Sequence, residues 1–198
     1  MTGLVLASAS PARARLLTAA GVVFAVHPAT VDEAAMKDSL QVAGADARAV
    51  AEALAELRAA QVSAAMPDAL VLGADQVLVF DGVLVSKCAD LKEARALLRE
   101  LRGQPHDLIS AAVLCLHGVP VWRHAAAARL TMRDFSDDFL GTYLAEEGEA
   151  LLGGVGCYRL EGRGAQLFAR VEGDHFTVQG LPLLPLLEAL RQHGVLPA

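Results

Sequence analysis

Cysteine is scarce in these 198 residues: Cys88, Cys115 and Cys157 stand far apart, with no Cys-x-x-Cys pair. An odd, scattered set argues against a disulfide framework and for buried free thiols in a reducing, cytoplasmic setting. Lysine is equally rare, with Lys37, Lys87 and Lys92 set against fourteen arginines. No apolar run approaches the roughly 18 residues that span a bilayer. The start is too short and uncharged before its apolar run to read as a secretory leader. A net charge of −6 disfavours a nucleic-acid duplex as partner. Also missing are a fixed-period repeat, a low-complexity tract, and the G-x-x-x-x-G-K-[ST], G-x-S-x-G and H-E-x-x-H motifs. The six histidines show no metal-binding spacing and read as surface or turn residues.

What remains is apolar and regularly punctuated. Hydrophobic residues make up 54% of the chain, enough for one domain over 1–198 or two lobes sharing a core. Residues 3–7 predict a short buried strand. Ser10 and Pro11 then open a helix, which Gly21 closes. Further strands are expected at Val22–Val26, Leu70–Phe80 (interrupted by Gly73-Ala74-Asp75), Asp107–Leu116, Val119–Leu130, Val155–Leu160 and Gln166–Val171. Asp81-Gly82 and His117-Gly118 are hairpin turns, the first returning through Val83–Val85. Helical spacing marks Asp46–Ala65, Leu91–Leu101, a segment capped by Ser136, and Leu183–His193. Hairpins among alternating helices and strands predict a mixed α/β sheet. Any lobe hinge is expected near residues 30–45.

Five stretches could carry chemistry. In "LVLASASPARARLL" a buried strand runs into Ser8, Ser10, Pro11 and Arg13. A helix N-terminus with hydroxyls and a guanidinium fork is a seat for an anion, although a capped helix with surface arginines explains it equally. Asp75 lies within apolar neighbours, where an acid is costly unless paired, metal-bound or accepting a proton. Asp32-Glu33 offers hard oxygens of the kind magnesium or manganese takes alongside substrate phosphates. Ser86-Lys87 puts an ammonium after a hairpin. Leu160-Glu161-Gly162-Arg163-Gly164 sets an acid among glycines, a shape that could hold a base edge. Each has a plainer reading as a solvated loop or turn.

In order along the chain, "LASASPARARLL", "VDE", "LGADQVLVFDG", "SKCADLKEARALLREL", "HDLIS" and "VEGDHFTVQGLPL" resemble the Maf family of nucleoside triphosphate pyrophosphatases. The resemblance implies an α/β fold with an elongated mixed central sheet flanked by helices, in two lobes with a cleft between them. It implies hydrolysis of a nucleoside triphosphate to the monophosphate and pyrophosphate, a divalent cation (Mg2+ or Mn2+), and a homodimer. Carried over by position, Ser8, Arg13, Arg58 and Lys87 would hold phosphate. Glu33 and Asp75 would hold the metal, with Asp75 accepting the proton from water. Arg58 stands where the family usually has lysine, and Ala12 where it often has arginine or tryptophan. Gln76 and Glu161, with "EGRGAQLF", look like the branch acting on 7-methyl-GTP. A non-catalytic regulator of septum formation is the alternative the same family suggests.

Overall fold

The computed structural model describes residues 3–197. Along the chain run β1 (Leu4–Leu6), α1 (Pro11–Ala19), β2 (Phe24–Val26), α2 (Glu33–Val42), α3 (Ala47–Ala65), β3 (Leu70–Phe80) and β4 (Val83–Val85). There follow α4 (Leu91–Leu101), β5 (Pro105–Leu116), β6 (Val119–Met132), α5 (Asp137–Glu147), β7 (Phe168–Glu172), α6 (His175–Val178) and α7 (Leu183–Gln192). Two 3-10 segments, Gly148–Gly153 and Arg163–Leu167, lie between α5 and β7. The seven strands form one mixed sheet in the order β2-β1-β3-β5-β6-β7, with β4 on β3. Strand β1 is parallel to both neighbours, pairing Leu4 with Phe24 and with Leu70. The hairpin partners are antiparallel, Val79 opposite Leu84, and β7 returns against β6 with Leu130 opposite Val171. The fold class is the mixed α/β sheet with flanking helices that the sequence predicts.

Two compact units share these elements. The first gathers the described chain through Gln76, residues 109–126, and the stretch from Gly180 onward. The second holds Val77–Leu108 and Ala127–Gln179. Residues 30–45, where a hinge was expected, therefore lie inside the first unit.

In the first unit α3 buries one face, Val50, Ala51, Leu54, Ala55, Ala59 and Val62, with helical spacing. Its small residues allow an unusually close approach to β3. A Cβ added to Gly73 would sit 2.1 Å from the Ala55 carbonyl oxygen and 2.7 Å from the Ala59 nitrogen. Gly73 is thus required by helix packing, and β3 runs through Gly73-Ala74-Asp75 without the interruption expected from them. Helix α2 is the other departure. It has no fully buried residue, and it starts where the Asp32 carboxylate caps the Ala35 N–H.

The second unit has its own core of Leu78, Leu98, Leu101, Leu108, Leu130, Phe135 and Leu140. Asp81-Gly82 makes its hairpin turn with positive φ at both residues, as the sequence predicts. Val155–Leu160 is not a strand. The segment folds around the Tyr158 ring, which fills the space a Cβ on Gly156 would need, 2.3 Å away. Tyr158 hydroxyl and His106 Nε2 are 2.7 Å apart, and the Tyr158 ring meets Phe168 edge-on at 4.8 Å. His106 is the buried exception among the histidines. Burial holds its pKa down at about 4, and its Nδ1 has no hydrogen-bond partner. The three cysteines are free, and burial pushes the Cys157 thiol up to about 12.

Candidate active site

The junction after β1 is built by local capping. Ser10 accepts from the Arg13 N–H at 3.5 Å and Pro11 occupies the first helical position. Ser8 Oγ accepts twice, from the Ser10 N–H at 3.2 Å and from Arg13 Nη1 at 3.1 Å. With both lone pairs used, its O–H is left to donate elsewhere. Arg13 is buried, and Nε donates to the Gly180 carbonyl at 2.9 Å. Its Nη2 has no protein partner among the described residues. Burial lowers the Arg13 pKa to about 10 against the supporting charge of Asp75, so the guanidinium stays charged at neutral pH.

A second cluster forms where α2, α3 and β3 meet in the same unit. Arg58, on α3, binds three acceptors at once. Its Nε and Nη2 reach Glu33 Oε1 at 2.7 and 2.6 Å, Nη2 reaches Asp75 Oδ1 at 2.9 Å, and Nη1 reaches the Ala74 carbonyl at 2.6 Å. Glu33 and Asp75 thus share one guanidinium nitrogen. Asp75 is only 6% exposed, and its Oδ2 is buried without a hydrogen-bond partner. Its pKa is raised: desolvation is the larger effect, opposed by the charges of Arg58, Arg13 and Lys37. An aspartate that holds a proton more readily than usual suits proton acceptance from water.

Gln76, next on β3, donates from Nε2 to Ser110 Oγ on β5 at 3.0 Å. A Cβ added at Gly180 would lie 3.6 Å from Arg13 Nη2 and 3.8 Å from Gln76 Oε1, so both side chains line the same backbone turn. Gly180 has a φ of +94°, a conformation that favours glycine. Ser8, Arg13, Glu33, Arg58, Asp75 and Gln76 therefore come together in the first unit, with half-buried Ala12 beside Arg13 on α1. Lys87, exposed after β4, and Glu161, exposed in the turn before the second 3-10 segment, belong to the second unit. Ser110 and Gly180 escaped the reading of individual residues. Both lie in the stretches "HDLIS" and "VEGDHFTVQGLPL", where the pattern alone marked them.

The donor set can be tested against a divalent cation. Magnesium and manganese take oxygen ligands, usually one or two carboxylates plus substrate phosphates. Glu33 and Asp75 reach one common nitrogen, and the Asp75 oxygen facing away from it is buried and unpartnered. Two hard carboxylates fit such an ion. No group of three or more His, Cys, Asp or Glu side chains among the described residues makes a closed cage.

The family profile described as Maf-like protein matches residues 3–193. A nucleoside triphosphate pyrophosphatase of Granulibacter bethesdensis is 51% identical over 193 residues, 98% of each chain. Another of that name, from Paramagnetospirillum magneticum, is 53% identical over 191 residues, covering 96% of this chain and 98% of its own. A 7-methyl-GTP pyrophosphatase of Rhizobium meliloti is 47% identical over 195 residues, 98% of each.

Proposed function

The chain belongs to the Maf family, and on that premise we propose that it hydrolyses a nucleoside triphosphate to the monophosphate and pyrophosphate. Relatives named nucleoside triphosphate pyrophosphatase, matched over nearly their whole length, support the reading. The observation that carries it is the pairing of an open donor, Arg13 Nη2, with an open acceptor, Asp75 Oδ2, both on buried side chains of one unit. Among the described residues no helix is long and apolar enough to cross a membrane. No observation favours a non-catalytic role.

In the proposed reaction Arg13, the Ser8 hydroxyl and the N-terminus of α1 bind phosphate oxygens. Asp75 accepts a proton from the attacking water, held in place by its bond to Arg58. The water oxygen bonds to the α-phosphorus as the bond from that phosphorus to the bridging oxygen breaks, and pyrophosphate leaves. Glu33 and Asp75 would hold a bound Mg2+ or Mn2+, which would supply charge neutralisation at the phosphoryl oxygens. By family resemblance we assign Lys87 to phosphate, and Gln76, Glu161 and the small Ala12 to choice of base. We further infer 7-methyl-GTP as the preferred substrate and a cytoplasmic homodimer as the working form. The relative named for 7-methyl-GTP supports the first of these.

The test is pyrophosphate release from 7-methyl-GTP, GTP, UTP and dTTP with added Mg2+ or Mn2+. Pyrophosphate formed in step with monophosphate is expected. Release of single phosphate, or of nothing from any member of the panel, would sink the proposal. Light scattering measures the dimer.

A further inference from the structure

The charges around Asp75 leave a gap that the proposed reaction has to fill. Arg58, by position, is expected to meet phosphate. Each of its nitrogens is already committed to a protein oxygen: Nε to Glu33, Nη1 to the Ala74 carbonyl, Nη2 to Glu33 and Asp75. Turning it to a ligand would release two carboxylates, one of them buried. Arg58 and Arg13 together only balance Glu33 and Asp75. A triphosphate brings several further negative charges, of which the divalent cation and Lys87 of the proposed reaction offset only part.

Lys37 lies one helical turn beyond Glu33 on α2, four residues on, and so shares its face. Long helical side chains lean toward the N-terminus of their helix. A side chain leaning that way runs along the Glu33 side of α2, without closing an ion pair to Glu33. The residue is half-buried, and it makes no hydrogen bond or ion pair with any described residue. Its charge nevertheless acts on the Asp75 carboxylate, alongside those of Arg58 and Arg13.

We propose that Lys37 is a further substrate-binding residue, the free cation on α2 that meets the polyphosphate, while Arg58 is a positioning residue that clamps the two carboxylates. The inference rests on the pyrophosphatase reading for its substrate but can fail separately. An ammonium on a flexible stem suits this task, because it can follow a mobile anion as a point charge with three donors.

The experiment compares Lys37→Gln and Lys37→Arg with the unaltered chain. Two readouts are taken: steady-state kinetics on the preferred nucleotide, and calorimetric binding of inorganic pyrophosphate with Mg2+ at low and moderate salt. For Lys37→Gln the expected results are a KM about tenfold higher with kcat within about twofold, and pyrophosphate binding weakened about tenfold. The binding deficit should shrink as salt rises, and Lys37→Arg should restore most of it. Since α2 presents Lys37 at a partly exposed position, the fold should survive the change. Unchanged KM and unchanged pyrophosphate affinity in Lys37→Gln would overturn the proposal. If the unaltered chain hydrolyses no nucleotide, the functional reading fails, and the pyrophosphate-binding arm still decides the role of Lys37.

Discussion

Replacing Arg58 with methionine isolates the clamp. Methionine keeps most of the buried stem, so little packing is lost and the change is mainly electrostatic. Three acceptors lose their donor: Glu33, Asp75 and the Ala74 carbonyl. Glu33 contributes little, because its side chain is 37% exposed and can turn to water. Asp75 decides the magnitude, since its side chain is 8% exposed. Stripping the partner from a buried charge costs about 3–5 kcal/mol. Burial already favours the protonated carboxyl here, and proton uptake would cap the penalty. The expected loss is therefore about 2–4 kcal/mol, read as a lower urea midpoint at neutral pH. Arg58→Lys should fall between, keeping the charge without the planar fork. The decisive variant is Arg58→Met combined with Asp75→Asn: with the carboxylate removed, at least half of the lost stability should return. A single Arg58→Met variant within about 0.5 kcal/mol of the parent would refute the reasoning. So would a double variant no more stable than the single.

Three other outcomes follow from the same geometry. Asp75→Asn should keep the fold, because Glu33 still pairs with Arg58, and should cut kcat about 10²–10⁴-fold as expected for loss of a general base; kcat unchanged would place water activation elsewhere. Gly73→Ala drives a methyl group into the α3 backbone and should destabilise by about 1–3 kcal/mol or more, with activity falling as α3 and Arg58 shift. His106 has a folded pKa of about 4 against an ordinary 6.5, so the unfolded chain takes up its proton first as pH falls. Its contribution is complete above pH 6.5, declines between 6.5 and 4, and amounts to a loss of about 2 kcal/mol between pH 7 and 5. Urea midpoints of His106→Phe should lack that part of the pH dependence, and identical pH slopes in the two proteins would exclude it.

The local grammar of the chain settled much of the fold in advance. Ser10 and Ser136 cap helices, and Asp81-Gly82 and His117-Gly118 turn hairpins, because those preferences act over a few residues and need no partner elsewhere. Asp75 stood out for a similar reason, as an acid amid apolar strand neighbours. Helix α2 was missed although Asp32 caps it, a short helix that commits no residue to the core. Val155–Leu160 misled in the opposite sense, its apolar residues serving a turn packed around Tyr158. The site itself was decided by register and packing. Arg58 reaches Glu33 across 25 residues of chain, and Arg13 reaches Gly180 across 167. Which donors are spent and which remain open depends on those long-range contacts. Thus the sequence by itself determined which residue types could serve a polyphosphate, and only the tertiary structure decided that Arg58 is occupied while, among the described residues, Arg13 Nη2, Asp75 Oδ2 and Lys37 are not.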